Sequence, residues 1–256
     1  MKIATWNVNS IRARQERLLG WLESTKPDVA CLQELKCQED QVPEAEVKAL
    51  GYHACWYGQK TYNGVAILSK TQLVDVCKGL GDSVEDPQCR LIGATVNGVR
   101  VYSVYAPNGQ EVGSPAYRYK LEWYGRLRRF LDAHHRPDEP IVLCGDWNVA
   151  PEPIDVHDPV AWEGQTLFSG PERDALKTLC AFGLEDTWRN LHPGEQKFSW
   201  WDYRMLAFPK GKGLRIDHIF ATAPLAKKAK ASEIEREMRK GKQPSDHAPV
   251  WTDFDV

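Results

Sequence analysis

The sequence predicts an α/β protein in which two mixed β-sheets pack face to face and helices cover their outer faces. Strand-like segments alternate with helix-like segments in the first half of the chain and again in the last third. In addition, Asn97-Gly98 separates two apolar segments, 91–96 and 99–105. This pattern predicts a tight β-hairpin, because Asn and Gly tolerate the positive φ values of a two-residue turn. The 256 residues are enough for one large domain, and we expect a single one.

The other elements of the first half are assigned from apolar runs and the turn residues that bound them. Residues 2–6 are expected to form a strand, and Ser10 can cap the helix that follows. The apolar run 29–32 comes after a proline and predicts a buried strand. A short helix over 44–50 and two strands, 52–57 and 64–68, are expected next.

The second half follows the same rules. Residues 115–134 carry aromatic and leucine side chains at helical spacing, and the apolar run 141–144 after Pro140 predicts one buried strand. The segment 150–169 is too long for a plain connection, so we expect a functional loop. Pro171 begins a predicted helix that ends at Phe182. Three strands are expected after it, over 198–203, 214–220 and 250–254.

Composition is typical of a soluble globular protein. No apolar run is long enough to span a membrane, and the N-terminus enters a strand without the apolar region of a signal peptide. We therefore expect no membrane association and a cytoplasmic location. The seven cysteines form no CxxC pair, which favours reduced, buried thiols and argues against a zinc site.

The formal net charge of −2 gives no global sign of a polyanionic partner, although a total can hide a local patch. Candidate basic surface lies at Arg126, Arg128 and Arg129 and again over residues 227–242. Taken separately, each run is better explained as a solvated helix face.

Polar residues at strand ends carry the candidate chemistry. Asp146 and Asn148 follow the apolar run 141–144 and project to the same side of an extended backbone, whereas Trp147 points away. An Asx-turn that closes the strand is the alternative explanation for this pair. Other strand ends carry similar groups, namely Asn7, Asn9, Glu34, Tyr105, Asp217, Asp246 and His247.

In a layered fold, polar residues at strand ends meet along one edge of the sheets. A carboxylate cluster without compensation raises the pKa values of its members and destabilises the fold, and a divalent cation removes that penalty. Oxygen ligands with few histidines favour Mg²⁺ or Mn²⁺ over zinc. The sequence therefore predicts a divalent-metal site.

Eight motifs are spread in order along the chain: TWNVNSIRAR, LQELK, GVAILSK, VYAPNG, CGDWN, FSWWDYR, GLRIDHI and SDHAPV. They resemble the ordered motifs of the exonuclease III family of abasic-site endonucleases and 3′→5′ exodeoxyribonucleases, within the endonuclease/exonuclease/phosphatase superfamily. The resemblance runs from the first predicted strand to the last. It implies a four-layer α/β sandwich like that of DNase I, built as a single domain over residues 1–256.

The resemblance also implies a metal site. Glu34 resembles the direct metal ligand, and Asp246 would contribute to the metal shell directly or through water. The resemblance also assigns Asn7 to the metal site. Asn9 lies where many relatives carry aspartate, which leaves its part in metal binding open. The implied cofactor is Mg²⁺, with Mn²⁺ as a substitute.

Catalytic roles follow from the same motifs. Asp146 resembles the residue that orients and deprotonates the attacking water, and Asn148 would position that water or a phosphate oxygen. His247, protonated and aligned by Asp217, would stabilise the pentacovalent phosphate. Asn7 and Tyr105 would contact the same phosphate, and assistance to the leaving group is also considered for Tyr105. These residue types suit phosphodiester hydrolysis, which needs an activated water and compensation for phosphate charge.

Contacts to the substrate are implied further out. Trp200, Leu214 and Ile216 match positions that line the family's pocket for a flipped-out abasic sugar, and extrusion is easiest where the base is missing. Core packing is the alternative for these apolar residues. The expected phosphate contacts are Lys36, Arg90, Asn108 and Arg173. Residues that could gate access to the sugar from the 150–169 loop are Trp162, Gly164 and Gln165.

Three classes of function are compatible with parts of the sequence. The leading hypothesis is a monomeric, Mg²⁺-dependent DNA-repair nuclease on double-stranded DNA. It would cut 5′ to abasic sites in base excision repair, clean blocked 3′ ends, or degrade 3′→5′, in a balance that the sequence leaves open. The alternative is a superfamily phosphatase or phosphodiesterase on a small phosphorylated substrate, against which the aromatic FSWWDYR and GLRIDHI segments favour DNA. The third class, a silent DNA-binding module, is disfavoured by the acids and His247.

Overall fold

The computed structural model describes residues 1–256 and consists of twelve strands and seven α-helices. The strands are β1 (Lys2–Asn7), β2 (Val29–Gln33), β3 (His53–Tyr57), β4 (Val65–Ser69), β5 (Val74–Lys78), β6 (Leu91–Val96), β7 (Val99–Tyr105), β8 (Ile141–Asp146), β9 (Leu184–Asp186), β10 (Asp217–Thr222), β11 (Ala229–Ile234) and β12 (Val250–Phe254). The helices are α1 (Gln15–Thr25), α2 (Glu44–Ala49), α3 (Pro115–His134), α4 (Pro159–Trp162), α5 (Gly170–Cys180), α6 (Thr187–Leu191) and α7 (Ala223–Ala226).

The strands form two six-stranded mixed sheets. The first sheet has the order β11-β12-β1-β2-β4-β3, and the second has the order β5-β6-β7-β8-β10-β9. Each sheet contains one parallel pair at its centre, β1 with β2 and β7 with β8. Because a parallel pair needs a crossover connection, α1 lies between β1 and β2 in the chain and α3 lies between β7 and β8.

Side chains that alternate along the strands build three apolar layers. In β8, Val142 and Cys144 face the core between the two sheets, whereas Ile141 and Leu143 pack with side chains of α3 and α5 on the outer face. The outer face of the first sheet packs against α1 and α2 in the same way. The result is a four-layer α/β sandwich, and the predicted fold class is confirmed.

The hairpin and the long helix are confirmed with the expected bounds. Val96 pairs with Val99 across the turn, and Asn97 and Gly98 take φ values of 49° and 79°. Helix α3 spans the predicted residues 115–134, with Ser114 accepting a hydrogen bond from the backbone N–H of Tyr117 at 3.1 Å. By contrast, Ser10 does not cap α1, because a turn over residues 10–14 separates them.

The predicted strand over 198–203 is wrong. Trp200 exchanges two backbone hydrogen bonds with Leu214, at 2.9 and 3.0 Å, whereas the neighbouring Ser199 carbonyl accepts from Ala248. Adjacent residues thus pair with different segments, and only isolated bridges form. For the same reason β10 begins at Asp217 and not at residue 214. The sequence prediction also omitted the short or exposed strands β5, β9 and β11.

The 150–169 segment, which was expected to be a functional loop, contains a 3₁₀ turn at Pro153–Asp155 and helix α4. Arg126 is not basic surface: it is 4% exposed, and its guanidinium binds both Asp82 and Asp86. None of the seven cysteines forms a disulfide, and three of them, Cys55, Cys77 and Cys180, are half-buried where buried thiols were expected. None of the helices has the length and apolar character needed to cross a membrane.

The core between the sheets becomes polar towards one edge. Thr5 and Ser103 each hydrogen-bond the side chain of Gln33, at 3.1 and 3.0 Å, and all three are fully buried. The next inward-facing positions along β1 and β7 are Asn7 and Tyr105. This polar edge of the inter-sheet core is where the candidate site lies.

Candidate active site

Strand register places three of the predicted residues side by side in the second sheet. Tyr105 at the end of β7 pairs with Asp146 at the end of β8, and Asp146 pairs with Asp217 at the start of β10. Asp146 and Asp217 are each 1% exposed. Close approach of β7 to β8 depends on Gly145, since a Cβ there would lie 1.8 Å from the Val104 carbonyl oxygen.

The first sheet supplies the opposite wall. Asn7 ends β1, and Glu34 follows β2 with a left-handed φ of 55°. The Asn7 side-chain amide donates to Glu34 at 2.8 Å and to Asp146 at 2.9 Å, so one amide joins the two sheets. Its oxygen accepts the backbone N–H of Asn9 at 2.9 Å, which fixes the orientation of the amide. Asn7 therefore presents its amide donors to the two carboxylates.

His247 completes the cluster and is held by Asp217. Its Nδ1 lies 2.9 Å from one oxygen of the Asp217 carboxylate, and its Nε2 lies 3.7 Å from Asp146. Ser199 donates to the same Asp217 carboxylate at 2.6 Å and accepts the backbone N–H of Asp217, so the carboxylate is held on two sides. The tertiary pairing of Asp217 with His247 that was implied by resemblance is present.

Burial and mutual charge set the protonation of the cluster. Burial raises the pKa of Asp146 to about 7, with Asp217 and Glu34 adding to the rise and His247 opposing it. Burial would lower the pKa of His247, but the carboxylates of Asp217 and Asp146 outweigh it and raise that pKa to about 10. At neutral pH the imidazole is therefore a cation, and Asp146 has a proton affinity suited to a general base.

The pKa values of Glu34 and Tyr105 are shifted in opposite directions. Burial acts to raise the pKa of Glu34, yet the net pKa is lowered by the Lys36 ammonium and the Asn7 amide. The pKa of Tyr105 is raised by burial and by the nearby carboxylates, so its hydroxyl stays protonated. The guanidinium of Arg90 covers the Tyr105 ring at 4.8 Å and donates to its backbone carbonyl.

The ligand set suits a hard divalent cation. Oxygen atoms of Glu34 and Asp146 and a nitrogen of His247 all lie within 4.8 Å of one another. The Lys36 ammonium lies 2.7 Å from Glu34, which shows that this corner of the cluster attracts a cation. Because His247 is protonated, the two carboxylates are the groups available to hold a metal, and oxygen ligands of this type fit Mg²⁺ or Mn²⁺.

Asp246 and Asn9 lie one step outside that set. The two oxygens of Asp246 accept from Asn9 at 2.9 Å and from the Trp200 indole at 3.0 Å. The Asn9 oxygen in turn accepts from Lys36 at 2.6 Å. Both residues therefore border the cluster through hydrogen bonds, and neither belongs to the group of three.

Asn148 reaches the site from the turn after β8. Its backbone has a φ of 51°, its N–H donates to Asp146 at 2.9 Å, and its side chain donates to the Ala106 carbonyl at 3.0 Å. Asn108 donates to the Asn148 side-chain oxygen at 3.1 Å. The backbone is thus not extended at Asn148, and the Asx-turn that was the alternative explanation for this pair is present. The turn orients the Asp146 carboxylate, whereas Ala106 and Asn108 orient the Asn148 side chain.

A groove of about 650 Å³ runs beside the cluster. Its lining includes Asn108, Trp162, Gly164, Gln165, Trp200 and Arg204. Leu214 and Ile216 are 0% and 1% exposed in a small apolar cluster beneath it, against which the two tryptophans pack. For Leu214 and Ile216 the structure therefore shows core packing, and the accessible side chain of the three predicted pocket residues is Trp200.

Arg173 forms no hydrogen bond or ion pair with the residues of the cluster. Its guanidinium pairs with Glu163 at 3.0 Å and covers the Phe168 ring at 4.4 Å. Both partners belong to the 150–169 segment, so Arg173 holds that segment.

Four supporting residues were missed from the sequence: Ser199, Ser245, Lys120 and Glu172. Ser245 donates to the Asn7 carbonyl at 2.7 Å and accepts the backbone N–H of His247. The signals were weak. Lys120 lies on the buried face of α3, where a charged residue is unexpected, and Ser169-x-x-Glu172 has the spacing of a capping box.

Comparison with known proteins agrees with this geometry. The Endonuclease/Exonuclease/phosphatase family matches residues 4–247. Exodeoxyribonuclease III of Haemophilus influenzae is 35% identical over 269 residues, covering 99% of this chain and 100% of that protein.

Two solved structures are similar over 100% of both chains. The 3′ phosphatase NExo from Neisseria, bound to a product DNA hairpin, is 42% identical with a TM-score of 0.96. An AP endonuclease from Archaeoglobus fulgidus is 41% identical, also with a TM-score of 0.96. The matched sequence, the shared sandwich and the cluster at its edge lead to one conclusion: the chain belongs to the endonuclease/exonuclease/phosphatase family.

Proposed function

We propose that the protein is a divalent-metal-dependent DNA-repair nuclease that hydrolyses phosphodiester bonds of double-stranded DNA. The observation that carries the proposal is the buried cluster of Glu34, Asp146 and His247, in which a protonated imidazole lies beside two carboxylates. Support for DNA as the substrate comes from the relatives, which include an exodeoxyribonuclease and a phosphatase bound to DNA. The steps proposed are incision 5′ to abasic sites, cleaning of blocked 3′ ends and 3′→5′ degradation, as in base excision repair.

The side chains divide the reaction between them. Asp146, with its raised pKa, takes a proton from the attacking water, and Asn148 positions that water or a phosphate oxygen. His247, held as a cation by Asp217, donates to a phosphate oxygen and stabilises the charge that develops there. Tyr105 donates to the same phosphate and keeps its proton because its pKa is raised. For Asn7, a contact to that phosphate requires exchange of its bond to Glu34 or to Asp146.

Glu34 would hold the metal, with Asp246 contributing directly or through water and Asn9 beside it, which leaves Asp146 free to act as the base. When bound, Mg²⁺ or Mn²⁺ would supply positive charge at the scissile phosphate. The Lys36 ammonium would then be released from Glu34 and become available to phosphate.

Contacts to the DNA are proposed around the groove beside the cluster. Trp200 would face an extruded abasic sugar, and Leu214 and Ile216 would support it from the core. The proposed phosphate contacts are Lys36, Arg90, Asn108 and Arg173. For Arg173 this requires exchange of its bond to Glu163.

We also propose that residues 1–256 act as one domain, in a monomer located in the cytoplasm. Every group of the candidate site comes from a single chain. The seven unpaired cysteines suit a reducing compartment.

The test uses two labelled duplexes, one with an internal abasic-site analogue and one undamaged with a recessed 3′ end. Each is incubated with Mg²⁺ or EDTA, with the unchanged protein or with Asp146→Asn. A metal-dependent cut 5′ to the lesion, absent in the variant, would support incision, and a ladder from the 3′ end would support exonuclease activity. No cleavage of either duplex would contradict the proposal and favour the alternative, a phosphatase of small phosphorylated molecules.

A further inference from the structure

A buried ion pair lies directly behind the candidate site, and the reaction as described does not use it. Lys120 on α3 and Glu172 on α5 have side chains that are 0% exposed, and they bind each other. Lysine and glutamate side chains are almost never fully buried unless they are paired, and a role of such a pair is to fix the arrangement of the groups around it.

The ammonium group of Lys120 has three N–H donors, and each of them has an acceptor. Besides Glu172, it donates to the backbone carbonyl of Asn148 at 2.6 Å and to that of Asn108 at 3.0 Å. These are the two asparagines that hydrogen-bond each other at the site. One ammonium group therefore joins the turn after β8 to the loop after β7. A lysine at the surface, whose ammonium is hydrated, could not make these bonds.

The bond to Asn148 also explains its backbone. The left-handed φ of 51° is unfavourable for most residues, although Asn tolerates it better than others. In this conformation the Asn148 carbonyl is directed to Lys120 while its N–H donates to Asp146. Charge on Lys120 thus stabilises the backbone conformation that orients the Asn148 side chain.

Glu172 extends the connection to the 150–169 segment. Its carboxylate accepts the backbone N–H groups of Leu167 and Ser169, each at 3.1 Å, and the Ser169 hydroxyl. Leu167 lies in the same stretch as Gly164 and Gln165, which line the groove beside the site. The pair therefore fixes one wall of the groove relative to the catalytic turn.

We propose that Lys120 and Glu172 are a positioning pair, which sets Asn148 and Asn108 for the chemical step and couples the 150–169 segment to them. This role rests on the proposed nuclease function. A displacement of about 1 Å at a reacting group lowers a rate by about 100-fold. We therefore expect loss of the pair to lower kcat much more than it changes KM.

The test is the double variant Lys120→Met/Glu172→Gln, assayed for metal-dependent cleavage of the abasic-site duplex. Removing both charges avoids an unpaired buried charge, and neutral replacement of such pairs often preserves folding. We expect a kcat lower by about 100-fold, with KM changed by less than about threefold. Lys120→Gln/Glu172→Gln, which also removes both charges but keeps a side-chain N–H donor at position 120, is the second variant and should lower kcat less.

The control is Arg126→Met/Asp82→Asn/Asp86→Asn, which removes the other buried ion cluster of α3 without touching either asparagine. It should leave kcat within about threefold. A cycle with Asn148→Ala separates positioning from general weakening: in that background, loss of the pair should change kcat little further.

An undiminished kcat in a folded double variant, or the same loss of kcat with and without Asn148, would overturn the positioning role while the nuclease function stands. No cleavage by the unchanged protein would instead overturn the nuclease function, and this role with it.

Discussion

Asp217 should control the reaction through the charge of His247. The rise of the His247 pKa from 6.5 to about 10 corresponds to roughly 5 kcal/mol in favour of the imidazolium. Asp217 is the leading favourable contributor, by charge and by hydrogen bond, and burial opposes it. In Asp217→Asn we expect loss of about half of this energy, roughly 2 to 3 kcal/mol, which brings the His247 pKa down to about 8 and lowers the rate by about 10-fold at about pH 9.

The assay is single-turnover cleavage of the abasic-site duplex at about pH 7 and about pH 9. A raised pKa keeps His247 charged across this range in the unchanged protein, whereas in Asp217→Asn the histidine should lose its proton within it. The ratio of variant rate to unchanged rate should therefore be higher at the lower pH. The same ratio at both pH values would refute the electrostatic role, and an undiminished rate would refute any role. Asp186→Asn, at a half-buried aspartate of the second sheet, is the control.

Two further predictions concern metal binding and stability. Glu34→Gln should weaken binding of Mn²⁺, measured by calorimetry, by about 10- to 100-fold. Asp246→Asn should weaken it less, because the oxygens of Asp246 already accept two hydrogen bonds. Equal effects of the two variants would contradict the assignment of Glu34 as the metal ligand. Asp186 binds the buried Arg215 at 2.7 Å, and although burial acts to raise its pKa, Arg215 holds the pKa well below its usual range. Its stabilisation is therefore complete above the unfolded pKa of about 4 and is lost as pH falls towards the folded pKa. Urea unfolding of Asp186→Asn should show a deficit of about 3 kcal/mol at neutral pH that shrinks below about pH 4, and a deficit independent of pH would exclude the linkage.

The sequence predicts the site's position better than its inner arrangement. Asp146 lies at the end of a strand whose alternation is unambiguous, so its direction and its neighbours follow from the period of two. The direction of an amide is different, because it depends on every partner at once. Asn7 donates to two carboxylates only because the Asn9 N–H occupies its oxygen, and no sequence pattern contains that information.

The failed predictions share one cause. The segment 198–203 has the composition of a strand, yet Trp200 and its neighbours pair with different parts of the chain. Arginine is usually found at the surface, yet Asp82 and Asp86 from a distant loop bind the Arg126 guanidinium. In both cases long-range contacts override the local preference.

The pairing of β1 with β12 has a consequence for protein synthesis. The Trp6 indole donates to the His247 carbonyl at 3.1 Å, and Ser245 donates to the Asn7 carbonyl, so residues more than 230 positions apart form one wall of the site. A nascent chain whose β12 is still inside the ribosome has neither that wall nor the imidazole. A polypeptide that ends before Ser245 would therefore have no nuclease activity. The proposed nuclease becomes active only after β12 has paired with β1.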